Sequence, residues 1–388
     1  MRPIDWSILL LGAFEIPSFL LSQYRANGVR TALAIAIFVL VYSTVRLTIR
    51  TSAQMVLLCG LLGLGGALLA FSGQPQFDEN VKLLRSFGLT NLVAFRSRLI
   101  SPPSPWIAGE WFTLLLIAVP FACVLPIYLL ERQRKLLAGA AMLVPCLIVA
   151  TLNLSLSRAI SWSVVVFCVV VCGLMVTGRV VTIRAGAVLL GSMLGALILI
   201  VACESVFFPG IFTAYAGHQT SQVRSTEGRL AIWHRSFDVV RAHPLWGVGS
   251  ANAALALTST ADQEETTGFA SRTFSLPLQI LVEKGMIGVL VYAVFLTLLA
   301  REFLLNIRSS AGRLTIAQDA SIAKSSSRLI PAAVPYHSAH IATTCCFAAG
   351  LVAVLFRELF YSSLLEHVLT VVLVAVLSAL ICSPERGT

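Results

Sequence analysis

Charge is what this chain has least of. Asp, Glu, Lys and Arg make up 12% of its 388 residues, about half the share of a soluble domain. That shortage excludes an ordinary water-soluble fold. Other absences narrow the field. No Asp-x-Asp pair is present to hold Mg²⁺ beside a phosphate. Cys168 and Cys172 share a helix face, but no His or further Cys joins them into a metal site. The cysteines at 59, 123, 146, 168, 172, 203, 345, 346 and 382 all lie in or beside apolar runs and read as small buried hydrophobes. Residues 207–272 contain none, which excludes a disulfide framework there. No small-residue cleavage site follows the first apolar run, so that run reads as a span and not as a removed leader. Gly63 to Gly66 lacks the Lys of a phosphate loop and reads as a helix-packing surface.

What is present is apolar length. Hydrophobic residues make up 57% of the chain. About ten runs approach the 20 or so residues that cross a bilayer, at roughly 6–22, 30–48, 54–72, 110–130, 136–154, 159–177, 186–206, 285–304, 338–356 and 366–382. The expected fold is all-α: a multi-pass transmembrane helical bundle with a helical outer loop between spans seven and eight. Three regions follow: 1–206 as N-terminal membrane helices, 207–284 as an outer loop, and 285–388 as C-terminal membrane helices with a cytoplasmic loop at 301–330. The first run is the poorest, because it contains Glu15 and Pro17.

The formal net charge of +10 does not indicate nucleic acid, since no basic stripe with interleaved aromatics occurs. The cations gather in short loops. Arg132, Arg134 and Lys135 flank one turn, and Arg179 and Arg184 another. Arg301, Arg308, Arg313, Lys324 and Arg328 crowd a third. If the spans alternate, all three lie on one side, and that side is cytoplasmic together with both termini. The segments at 73–109 and 207–284 are then outside.

The outer segment has its own pattern. From Thr226, apolar residues at Leu230, Ile232, Trp233, Phe237 and Val240 recur at helical spacing. Pro244 ends this amphipathic helix. Gly247 and Gly249 form a turn, and a short helix follows over 252–257. Ser275 to Lys284 is helical and apolar, broken by Gly285 and Gly288. Arg357 and Glu358, adjacent at the end of the ninth span, read as a mutual ion pair.

Three motifs stand in order: Ser157-Arg158; Glu-Gly-Arg-Leu-Ala-Ile-Trp (227–233) followed by His-Pro-Leu-Trp-Gly-Val-Gly (243–249); and Phe-Ser-Leu-Pro-Leu-Gln-Ile-Leu-Val-Glu-Lys-Gly-Met-Ile-Gly (274–288). Their order and spacing resemble the O-antigen ligase and O-antigen polymerase superfamily of bacterial surface-polysaccharide proteins, over roughly residues 10–375. Members usually carry further spans before the point where this chain begins, which suggests a shortened N-terminus. The resemblance implies a metal-independent, inverting glycosyl transfer at the outer face of the bacterial inner membrane, with no cofactor. The donor it implies is a glycan on undecaprenyl diphosphate, and the acceptor a growing glycan or the lipid A core. It assigns Arg158, Arg224 and Arg229 to catalysis, as guanidinium groups that neutralise a leaving diphosphate. It places Arg272, Ser275, Glu283 and Trp233 among the substrate-binding residues. On the residues alone, Arg158 could equally snorkel to the interface. Arg235 and Arg241 read as a solvated face paired with Glu227 and Asp238. Arg96 or Arg98 could approach a lipid headgroup, although an interfacial helix explains them as well.

The chain departs from the family at one position. The last motif usually opens with His-Asn, and that His is the presumed general base. Here Phe274 and Ser275 stand in those places. Polymerase-type chemistry without that base, a substitute base such as His218 or Glu227, and an inactive paralogue acting as a scaffold are the three readings. A multi-pass transporter is the competing class, because Glu15, Pro17 and Pro120 lie in spans.

Overall fold

A computed structural model of the chain describes residues 2–22, 24–49, 51–87, 111–153, 158–177, 190–191, 193–199, 202, 219–259, 273, 275–323, 334–359 and 368–382. Among them there are only helices: α1 (Pro3–Leu20), α2 (Arg25–Thr48), α3 (Ser52–Ser86), α4 (Trp111–Glu131), α5 (Lys135–Ala141), α6 (Leu143–Asn153), α7 (Arg158–Thr177), α8 (Gln219–Ala242), α9 (Ala253–Ser259), α10 (Leu276–Ala323), α11 (Val334–Glu358) and α12 (Val368–Cys382). Eight stretches of these helices are long and apolar enough to cross a membrane, and Thr370–Cys382 is a shorter apolar helix. The protein is an all-α, multi-pass membrane protein. The expected seventh span, 186–206, falls mostly outside the described residues.

Several boundaries differ from the sequence reading. The expected span at 285–304 starts nine residues earlier, at Leu276, and its helix runs on to Ala323. Much of the expected loop at 301–330 is therefore helical, since no proline interrupts it. Helix α3 continues beyond the expected end at 72 to Ser86. The expected span at 136–154 is divided at Met142 into α5 and α6.

The chain forms two compact units. The first comprises Met1–Thr44, Gly217–Glu302 and Leu355–Val376. Helix α1 starts cleanly because Pro3 opens its first turn and the Asp5 carboxylate accepts the Arg2 N–H at 2.7 Å. Arg2 also pairs with Glu302 of α10 at 2.9 Å, and the Tyr42 hydroxyl of α2 donates to Asp5 at 3.2 Å. Phe38 of α2 meets Phe295 of α10 edge to face, with centroids 5.9 Å apart. The expected Arg357–Glu358 pair is present at 2.6 Å, with both side chains buried.

The second unit comprises Val45–Ala216, Phe303–Val354 and Leu377–Thr388. Its core is built on small residues that let helices approach. Gly63 of α3 lies against the Ala122 backbone of α4, and Gly66 lies against Ala118 and Ile148, as the packing reading of that stretch required. Gly350 of α11 faces the ring of Pro120, and Phe121 meets Phe347 with centroids 5.7 Å apart. Replacing Gly66 with Val should lower the stability of detergent-solubilised protein by about 1–3 kcal/mol. An unchanged melting temperature would show that the helices part easily.

Two of the last carbonyls of α12 accept from side chains. Arg46 donates to Cys382 O and Asn306 to Ile381 O, each at 2.7 Å. Leu57, Leu61, Leu64 and Leu68 form one stripe on α3 and are 51–63% exposed. In water such a stripe would be an aggregation site; in a membrane it faces acyl chains.

Candidate functional site

Glycine organises the first unit. Gly285 has φ 64° and ψ −166°, a conformation essentially closed to other residues, so α10 is broken there. The break strands backbone groups on both sides: carbonyls of the turn before it and amides of the turn after it. In an apolar setting each needs a partner. The turn at 244–249 supplies them. Val248 N–H donates to Val282 O at 2.9 Å, and Gly249 N–H to Glu283 O at 2.8 Å. In return, Met286 N–H donates to Pro244 O at 2.9 Å and Ile287 N–H to Leu245 O at 3.3 Å.

Such pairing demands close backbone approach. Gly247 (φ 67°) lies on the Val282–Glu283 backbone, and Gly285 on Leu245 and Trp246. Gly249 (φ 90°) lies on Ser22 at the end of α1. The two glycine motifs are thus two halves of one joint. Gly288, expected to be a second break, is helical and packs against the Lys284 side chain and Phe14. Trp246 stacks on Phe14 with centroids 6.0 Å apart.

Inside this joint lies a polar cluster that sequence reasoning missed. The Lys284 ammonium donates to the Glu15 carboxylate of α1 and, at 3.0 Å, to the Ser250 hydroxyl. Ser250 also donates to Glu15, and its oxygen lies 2.9 Å from the Ser18 oxygen. Asn252 donates to Ser22 and to Val248 O. Glu283 accepts from Ala251 N–H and from the Gln279 amide, each at 3.0 Å. All these side chains are at most 7% exposed.

Helix α8 rests on this joint. It begins at Gln219, seven residues before the expected Thr226. Its buried face is Ile232, Ser236 and Val239; Ile232 and Val239 pack with Val248, Ala253, Leu257 and Val282. Leu230 and Phe237, expected on the apolar face, are 47% and 49% exposed. Trp233 is half-buried, and its indole donates to Thr273 O at 2.9 Å, joining α8 to the segment that opens α10. Replacing Trp233 with Phe removes that bond, and a loss of about 1 kcal/mol is expected. A variant that melts like the parent would show the bond to be incidental.

Arg229 lies one turn before Trp233 and is half-buried at the end of the packed face. Arg224 lies on the first turns of the same helix. Its side chain lies outside the described residues, as do those of Arg158, which opens α7, and Glu227. Arg96, Arg98, His218, Arg272 and Phe274 lie outside them altogether. Ser275 immediately precedes α10; its carbonyl accepts from the Thr273 hydroxyl at 3.0 Å and from Gln279 N–H at 2.8 Å. The structure therefore brings Trp233, Ser275 and Glu283 into one framework, with Arg224 and Arg229 on the helix above it. Arg241 pairs with Asp238 at 3.0 Å on an exposed face, as its solvated reading required. His234 and His243 are exposed.

The fold is that of a multi-pass helical membrane protein in which an arginine-bearing helix is seated on a glycine joint. Residues 143–293 match the family model described as O-antigen ligase. That match covers less than half of the chain; it supports the resemblance to the O-antigen ligase and polymerase superfamily and a part in surface-polysaccharide assembly. No curated protein matches the chain.

Proposed function

We propose that the protein transfers a glycan from an undecaprenyl-diphosphate carrier to a sugar acceptor at the outer face of the bacterial inner membrane, as polymerase or ligase. The observation that carries this reading is the coincidence of the matched segment, 143–293, with the joint that seats the α8 arginines. In the reaction the acceptor hydroxyl attacks the anomeric carbon from the face opposite the diphosphate. The new C–O bond forms as the bond to phosphate breaks, which inverts the centre. Arg224 neutralises the charge that develops on the leaving diphosphate. The resemblance gives Arg158 the same duty. Arg229 and Arg272 position the carrier or the acceptor. With Phe274 in place of the family His, the acceptor proton passes to the departing diphosphate oxygen. The route needs no metal ion.

Deleting the gene in its native host tests this. Surface glycans are run on a silver-stained gel, with carrier-linked intermediates analysed alongside. Loss of long chains with single repeats still attached to the acceptor identifies a polymerase. Loss of all attached polymer, with carrier-linked chains accumulating, identifies a ligase. No change in either would sink the proposal. The buried Glu15–Lys284 pair favours a second reading, a transporter; uptake of labelled substrate into vesicles separates the two. Phe274 favours a third, a scaffold without catalysis.

A further inference from the structure

We propose that Glu15 and Lys284 are positioning residues, whose buried ion pair fixes the 244–249 turn against the break in α10 and thereby the start of α10 and the seat of α8. Its bearing on glycan transfer rests on the function proposed above. Glu15 lies outside the matched segment 143–293, so the functional module extends to α1.

Burial is the first argument. The Lys284 side chain is 0% exposed and the Glu15 side chain 5% exposed. Neither charge reaches water, so neither touches substrate, and removing one strands the other. Geometry is the second. The pair and Ser250 join three elements at one point: α1, the glycine turn and α10. Position is the third. Lys284 directly precedes Gly285, where the helix is broken. The carbonyls of Val282 and Glu283, which receive the turn's amides, immediately precede Lys284. A shift of the lysine slips that pairing, and with it Val282, which packs beneath Ile232 and Val239 of α8. Glu283, the neighbour of Lys284, is held by Ala251 and Gln279.

The test uses the full chain in membranes of the native host with two readouts. The first is transfer from carrier-linked repeat units extracted from that host, expressed per folded molecule. The second, read on separate samples in which Ser275→Cys is the one cysteine left and transfer is not scored, is the rate at which a membrane-impermeant maleimide labels that reporter. The variants are Glu15→Gln, Lys284→Met and the reversed pair Glu15→Lys with Lys284→Glu. Each single variant should cut kcat about tenfold to a hundredfold, leave the donor KM near that of the parent, and speed labelling. The reversed pair should restore both readouts to within about threefold, a coupling that independent sites do not show. Parental transfer and labelling in both single variants would overturn the proposal. So would a reversed pair as impaired as the two changes combined. If the single variants do not accumulate, the reversed pair decides alone. Labelling that follows the expected pattern in a protein without transferase activity would support the positioning and remove the function proposed above.

Discussion

Replacing Arg224 with Ala is expected to abolish product ladders while the protein still accumulates in the membrane. A donor aimed at developing negative charge contributes about a hundredfold or more to rate in a site of this kind. Its removal should therefore act on kcat far more than on abundance. Arg224 lies on α8 before the packed stripe of Ile232, Ser236 and Val239, so its loss leaves that stripe intact. The same outcome is expected for Arg158→Ala. Arg241→Ala is the control: its partner Asp238 is exposed and the pair is solvated, so ladders should be unchanged. Gel analysis of surface glycans at matched membrane levels decides the matter. Full ladders in both the Arg224 and Arg158 variants would remove the arginine assignment.

Gly285→Ala should be the most damaging small change in the protein. Backbone strain alone costs about 1–3 kcal/mol in that conformation. The added methyl would also meet the Leu245 carbonyl and the Trp246 nitrogen, and main chain cannot swing aside as a side chain can. The four hydrogen bonds between 244–249 and 282–287 would part, leaving their groups unsatisfied in an apolar setting. We expect loss of folded protein, read as disappearance from the membrane fraction or as a sharply lowered melting temperature in detergent. Gly288→Ala carries no conformational strain, because Gly288 is helical, but its methyl would meet the Lys284 Cβ, so it too should lower stability, by less than Gly285→Ala. Equal abundance of the Gly285 variant and its parent would show that the break can be relieved at little cost.

Much of the fold was legible because hydropathy reports burial in lipid directly. Trp111–Leu130 and Ala159–Thr177 lie almost where their apolar runs placed them. Contacts between near neighbours were legible too, such as Arg357 with Glu358 and the glycines of α3 as a packing surface. Helical period gave α8 but not its buried side. Leu230 and Phe237 are as apolar as Ile232 and Val239; the choice is made by Val248 and Val282, which arrive from elsewhere in the chain. The same limit hid the joint. Gly285 was readable as a break, yet nothing local says that another turn will fill the vacated hydrogen bonds. Glu15 looked like a flaw in a weak span. Its partner lies 269 residues away, beyond any local pattern.

That distance has a consequence for synthesis. At about 5–20 residues per second, roughly 13–54 s separate the emergence of Glu15 from that of Lys284. During that interval α1 carries a carboxyl group whose folded-state counter-ion, Lys284, has not yet been made. A carboxylate within an apolar span costs up to about 2.5–3.5 kcal/mol on insertion scales. The first helix thus has a waiting period, to be spent at the insertion machinery or the lipid surface. Its packing against the glycine turn and α10 is completed only once residue 284 has been made.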